Sequence, residues 1–189
     1  MPTVITALNS RFIKPVISLY ADNSHYNTII DTGAHISVFF GSETEFISFF
    51  TTATDSGFVT SISGFGGSGK QYCKVMKIPY VEIRDMISNK SFKIFNFLIA
   101  ICDMNEPYDI LLAATTLNKV DYTFHNSSTP KSFEIEYSRD VYCIHELAYF
   151  DDNGLVQVME YNGKQVIKST KTFLQSDSEN VVEPLSIFQ

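Results

Sequence analysis

Apolar residues along this chain fall in short runs or in strict alternation with polar ones, and clusters of Gly, Asn, Asp and Ser separate them. Both patterns predict β-strands rather than long helices. Residues 16–20 follow Pro15 and read as a strand, and Ala21-Asp22-Asn23-Ser24 is a turn cluster. Residues 26–30 read as a second strand that runs into Asp31. Residues 58–62 form a strand leading into a glycine cluster. Residues 75–84 and 91–101 are strand-like on either side of a polar turn at Ser88-Asn89-Lys90, and 108–112 is another buried run. One segment has helical spacing. Ser42-x-x-Glu45 has the form of a capping box, with Phe46, Phe49 and Phe50 after it, which predicts a helix over about 43–51. From about Arg139 the texture changes. Asp152-Asn153-Gly154 and Asn162-Gly163 are hairpin turns that bracket 155–161, with Val166 and Ile167 beyond, so a small β meander is expected. The tail from about Gln175 is polar and acidic.

A length of 189 residues suits one domain with an extension. The expected division is a domain over 1–138 and a C-terminal β extension with a polar tail over 139–189. The net charge of −7 argues against a nucleic-acid binder, since no basic patch is available to neutralise phosphates. Cys73, Cys102 and Cys143 are an odd, widely spaced set without a C-x-x-C pair. They read as free thiols in a reducing compartment, not as a disulfide framework or a zinc site. The four histidines are equally scattered, so no metal site is expected. No apolar run approaches the ~20 residues of a membrane span, and the N-terminus lacks the pattern of a signal peptide. The expectation is a soluble cytoplasmic protein.

Gly64-Phe65-Gly66-Gly67-Ser68-Gly69-Lys70 satisfies the spacing G-x-x-x-x-G-K. A phosphate-binding loop would next need Ser or Thr for magnesium and then a helix whose N-terminus faces the phosphate. This chain has Gln71, and the residues after it alternate with period two. The cluster therefore reads as a glycine-rich hairpin tip between two strands, where glycine lets the backbone approach a ligand.

The residues with the clearest chemistry are Ile29-Ile30-Asp31-Thr32-Gly33-Ala34. They place a carboxylate on a tight turn behind an apolar strand. Gly33 permits close approach of a partner backbone, and Thr32 can hydrogen-bond across a dimer axis. Two such carboxylates face to face cannot both ionise and so share a proton. One can then take a proton from water while the other donates to a peptide carbonyl.

From about Lys14 to Phe124 the chain resembles the retropepsin family of aspartic peptidases. Ile30-Asp31-Thr32-Gly33-Ala34 is similar to that family's catalytic loop, with Ser37-Val38 following. Ser63-Gly64-Phe65-Gly66-Gly67 stands where the family has its flap. Asp109-Ile110-Leu111-Leu112-Ala113, then Leu117, resembles the second-half signature that supports the active-site loop. The departure is Ala113, where the family usually has Gly. The resemblance implies an all-β fold, a closed acid-protease barrel with ψ-shaped loops and one or two short helices, here carrying the C-terminal β meander. It also implies that Gly64, Phe65, Gly66 and Gly67 fold over a bound polypeptide, with Phe65 at the tip, and that Ala34 lies near the substrate backbone.

The second carboxylate has two candidates within the chain. Asp55-Ser56-Gly57 has the right form but lies too soon after Asp31 for a second lobe, and Asp109 is not followed by Thr-Gly. The economical source is Asp31 of another copy, because a two-fold interface matches the geometry automatically. The expected function is an aspartic endopeptidase acting as a homodimer on a polypeptide, without cofactor, metal, nucleic acid or membrane. The alternative is a non-catalytic peptide- or protein-binding module on the same barrel.

Overall fold

Asp22 and Asn23 both take positive φ, 47° and 66°. Two consecutive left-handed residues make the tight turn whose twist matches paired strands, and Asp and Asn are among the few side chains that tolerate it. Ala21 and Ser24 close this turn as a cross-strand pair. The hairpin it makes delivers Asp31 to the end of a strand. The computed structural model describes residues 1–34, 36–62, 71–117 and 120–142, and four short paired strands beyond them.

In chain order the elements are β1 (Thr3–Ala7), β2 (Val16–Ala21), β3 (Ser24–Asp31), β4 (Ser37–Phe40), α1 (Glu43–Phe49), β5 (Thr54–Ile62), β6 (Gln71–Arg84), β7 (Ser91–Cys102) and β8 (Ile110–Ala113). A 3-10 turn (Ala114–Leu117) follows, then β9 (Asp121–His125), β10 (Ser132–Glu136) and β11 (Val141–Tyr142). The main sheet runs β11-β7-β4-β8-β3-β2-β6-β5, and β6 also pairs with β7. That extra pairing closes β7, β4, β8, β3, β2 and β6 into a six-stranded barrel. The fold is mostly β, with a single α-helix among the described residues, as the sequence implies. No helix among the described residues is long and apolar enough to cross a membrane.

The central strands are buried on both faces, which is why they read as near-continuous apolar runs. Phe39, Ile99, Ile101, Ile110 and Leu112 enter one core, while Val38, Phe40, Leu98, Ala100 and Leu111 enter a second. The second core also holds Ile36 and Ile62, with Ala34 packed against it, so it underlies the Asp31 loop.

The long strands β6 and β7 keep one face inward by shifting phase together. Met76 and Ile78 enter the first core, but beyond Pro79 it is Val81 and Ile83 that do so. On β7 the same core takes Phe92 and Ile94, then Phe97 and Ile99. Ladder pairs flank the shift at Ile78↔Phe97 and Tyr80↔Phe95. Pro79 has no N–H to contribute, and Asn96 opposite takes φ 49°.

The capping box at α1 forms as its sequence predicts. The Glu45 N–H donates to Ser42 Oγ at 3.2 Å, and the Ser42 N–H donates to Glu45 Oε2 at 2.7 Å. The helix ends at Phe49, two residues short of the expectation, and Phe50 closes it by donating its N–H to Phe46 O. Phe46 and Phe50 are buried against Phe39, whereas Phe49 is half exposed.

A second, three-stranded sheet has the order β1-β10-β9. None of its strands was anticipated from the sequence; each is only five residues long, and the alternation in β9 and β10 was the available signal. β5 begins at Thr54, earlier than expected, so Asp55-Ser56-Gly57 lies inside a strand and not in a turn. Beyond residue 142 two antiparallel pairs, β12 (Tyr149–Phe150) with β13 (Val156–Gln157) and β14 (Glu160–Tyr161) with β15 (Lys164–Gln165), flank the two turn sequences.

Cys73 and Cys102 are free thiols buried in the second core. Burial, with the neighbouring Cys102 thiol, pushes Cys73 from an ordinary 9.0 up to about 12. Between those two values the unfolded chain releases this proton while the folded chain keeps it. Stability is therefore expected to fall as pH rises from about 9 to about 12 and to be unaffected by this group below that window. Denaturant unfolding of wild type and Cys73→Ala across the alkaline range checks it. The variant should show the shallower loss.

Candidate active site

Consecutive strands β3 and β4 do not pair with each other. β8 lies between them, parallel to β3 and antiparallel to β4. The register places Ile29 beside Leu111, Ile30 beside Leu112 and Asp31 beside Ala113. The loop from Thr32 to Ile36 therefore spans the end of β8. This is the ψ-shaped arrangement, and it brings the Asp31 loop and the Leu111-Leu112-Ala113 segment together.

The Asp31 loop folds on its own carboxylate. The Gly33 N–H donates to Asp31 Oδ1 at 2.9 Å, and the Ala34 N–H donates to the Asp31 carbonyl at 3.4 Å. Asp31 Oδ2 accepts no hydrogen bond from the described residues. Thr32 and Gly33 are exposed, and Asp31 and Ala34 are half buried. The Thr32 hydroxyl likewise has no partner among the described residues.

Gly33 does not have a positive φ, and a Cβ built there meets only Asp31 Oδ1 at 3.5 Å, an ordinary contact. Neither its backbone nor its packing against the described residues demands glycine.

Beneath the loop, Ser37 is fully buried. Its Oγ accepts the Ala113 N–H at 3.1 Å and lies 3.5 Å from Thr116 Oγ1. One hydroxyl thus ties the start of β4 to the end of β8 and to the turn after it. Ala113, Leu112 and Leu111 are all buried, and the Ala113 methyl is accommodated within this packing. The sequence reading gave Ser37 no role beyond its place in the motif. The available signal was a lone hydroxyl in the apolar run 36–40, since a buried polar group needs a partner.

The other two carboxylates are structural. Asp109 accepts the Asn27 N–H on Oδ2 at 2.9 Å, while its own N–H donates to Asn27 O and its carbonyl accepts the Phe40 N–H. It anchors the entry to β8. Asp55 accepts the Gly57 N–H at 2.8 Å, the same local bond that Asp31 makes with Gly33. Its other oxygen, however, lies 3.5 Å from Lys74 Nζ. Gly57 takes φ 81°, and the ladder shifts between Asp55 and Phe58, so this tripeptide builds a bulge.

Gly64, Phe65, Gly66 and Gly67 lie outside the described residues, as does His35. The strands on either side of 63–70 are paired up to Ile62↔Gln71. The segment after Lys70 is a strand, so the helix that a phosphate-binding loop requires is not there. No group of three or more His, Cys, Asp or Glu among the described residues is placed to hold a metal ion.

No protein-family model matches the sequence, and no curated protein is significantly similar to it. Among solved structures the chain is similar to a retropepsin-like aspartic protease from Rickettsia conorii, with 15% identity and a TM-score of 0.44 over 72% of this chain and 91% of that one. It is also similar to the retroviral protease-like domain of Ddi1 from Leishmania major, with 11% identity and a TM-score of 0.34 over 85% of this chain and 91% of that one.

Removing the Ser37 hydroxyl would leave the buried Ala113 N–H without its acceptor. Ser37→Ala is expected to lower the unfolding free energy by about 1–3 kcal/mol. Denaturant titration of the two forms measures it.

Proposed function

We propose that this chain is an aspartic endopeptidase that works as a homodimer, with the Asp31 carboxylates of two copies side by side. The observation that carries the reading is the exposed Asp31-Thr32-Gly33 loop at the end of β8. Its carboxylate is braced on one oxygen, and its glycine answers to nothing within the described chain. A second copy approaching along a two-fold axis would supply that demand. It would bring the same loop, and so the same carboxylate, to the other side. Asp55 and Asp109 are engaged in holding strands together, which supports a source outside the chain.

In the dimer the two carboxylates hold one proton between them, because the charges are too close for both to ionise. The ionised member accepts a proton from a water molecule. That water attacks the carbonyl carbon of the scissile peptide, and the protonated member donates to the carbonyl oxygen. Collapse of the tetrahedral intermediate expels the amine, which takes up a proton. Thr32 hydrogen-bonds across the axis and fixes the loops, Ala34 lies along the peptide backbone, and Gly64 to Gly67 cover the peptide. The mechanism draws on no metal or cofactor.

Asp31→Asn is expected to lower peptide hydrolysis by at least roughly 10²–10⁴-fold, the range of general acid–base catalysis, with the fold retained. Asp55→Asn should leave turnover nearly unchanged. Cleavage of a mixed peptide library, beside circular dichroism of each form, reads both. Turnover that survives Asp31→Asn removes this residue from the mechanism. Wild type that binds peptide but never cleaves it leaves the non-catalytic module.

Activity per chain should also fall on dilution, as dimers dissociate. Rates and sedimentation over one concentration series test this. A monomer with full specific activity contradicts the shared site.

A further inference from the structure

The first acidic residue of this chain is Asp22. On a chain of net charge −7, the connection from β1 to β2 therefore carries only positive charge, at Arg11 and Lys14. A third cation, Lys131, stands on the connection from β9 to β10. Between the two connections lies an open cavity of about 700 Å³, within the size range of ligand sites. Leu8, Phe12, Ile13 and Phe124 give it apolar walls, Lys14 and Lys131 give it charge, and no carboxylate lines it.

The cavity is built before anything enters it. The Leu8 N–H donates to the Lys131 carbonyl at 2.8 Å, which joins the two connections. Ser128 Oγ lies 2.9 Å from the His125 carbonyl and 2.8 Å from the Pro130 carbonyl, which holds the second one in shape. Ile13 is the most exposed large apolar side chain among the described residues. Lys14 and Lys131 are exposed as well, and neither has an ion-pair partner among the described residues. Glu134, the acid of the neighbouring strand, is taken by His125. Apolar walls under unpaired cations select an occupant that is both acidic and apolar.

The chain carries such a segment. Residues 175–189, outside the described residues, hold Asp177, Glu179 and Glu183 with no Lys or Arg. Val181, Val182, Leu185, Ile187 and Phe188 stand among and after these acids. The last paired residue before the segment is Gln165, and 24 residues follow it. Fully extended they reach about 80 Å, several times the radius of gyration of about 15 Å expected for a domain of this size. A segment on the same chain meets its seat at an effective concentration of up to about millimolar, so modest contacts suffice.

We infer that this cavity is the seat of the chain's own acidic segment 175–189, whose carboxylates pair with Lys14 and Lys131 while its apolar residues cover Phe12, Ile13 and Phe124. The seat adjoins the strand that carries Asp31, since the carbonyl of Pro15, another lining residue, accepts the Ile30 N–H at 3.0 Å. The docking does not depend on the peptidase reading, and its test reads no activity.

The full chain, mixed from heavy-isotope-labelled and unlabelled copies, is coupled with a zero-length carbodiimide and mapped by mass spectrometry. Links from Lys14 or Lys131 to Asp177, Glu179 or Glu183 within one copy are expected. The Lys74–Glu43 ion pair, at 2.6 Å, is the internal control. A control link without any link from Lys14 or Lys131 to the segment overturns the seat. Links only between labelled and unlabelled copies put a second copy's segment there and overturn it too. The combined variant Asp177→Lys, Glu179→Lys, Glu183→Lys should empty the cavity and speed hydrogen exchange over 10–14 at least about fivefold, the effect of a few exposed ion pairs. Adding Lys14→Glu and Lys131→Glu to that variant should restore slow exchange. Exchange that the segment's charge reversal leaves unchanged assigns the cavity to another occupant, or to none, and overturns the inference.

Discussion

The parallel pairing of β3 with β8 is the constraint on which the rest of the structure depends. Because β8 pairs with β4 on its other side, it enters between two strands that are consecutive in the chain, so the connection from β3 to β4 must span the end of the intruder. That connection is the Asp31 loop. Its tightness follows from its task, which is to leave β3 at Asp31 and re-enter at Ser37 with Ala113 beneath. The Gly33 N–H on the Asp31 carboxylate closes the turn from inside, and Ser37 closes it from below. The candidate catalytic group is therefore held by the same contacts that keep the barrel closed.

The two cores have different tasks. The first is filled by aromatic rings from α1 and β4 and by the inward residues of β6 and β7 beyond Pro79. The second is smaller and built around Val16, Ile29, Val38, Leu98 and Leu111, directly under the loop. Strands buried on two sides cannot slip by one residue without exchanging their two cores, so the register at Asp31 is fixed from both faces. The paired phase shift at Pro79 and Asn96 lets the longest hairpin leave this two-sided region. Beyond it, one face carries Tyr80, Phe95 and Lys93 toward solvent while the other continues inward.

What the sequence disclosed follows from how local each signal is. The turn at Asp22-Asn23, the capping box at Ser42 and the Asp-Thr-Gly loop are each set by neighbours within a few residues, and each forms as read. The strands of the barrel were legible because double burial makes them apolar throughout. β1 was not, since its pairing joins residues as far apart as Thr3 and Glu136, and β9 and β10 were missed although Tyr122, Phe124, Phe133 and Ile135 alternate with polar residues. The Asp55-Ser56-Gly57 bulge was not foreseen for a similar reason. An Asp-x-Gly tripeptide forms the same hydrogen bond in a loop and in a bulged strand. Only the partner strand, with Lys74 against Asp55, distinguishes the two. The support from Ser37 was equally hidden, because its acceptor role needs Ala113, which the sequence places far away and the parallel pairing brings near.

Gly33 and Thr32 share one property that the described chain does not account for. Gly33 lacks a side chain where an ordinary contact would have allowed one, and the Thr32 hydroxyl has no partner among the described residues. Elsewhere the chain is careful: β5 is bulged, the helix is capped, and Asp55 and Asp109 are engaged. A two-fold partner would answer both with one operation, because the same loop would come from the other copy. Catalysis and assembly would then be a single constraint on this chain, met or lost together.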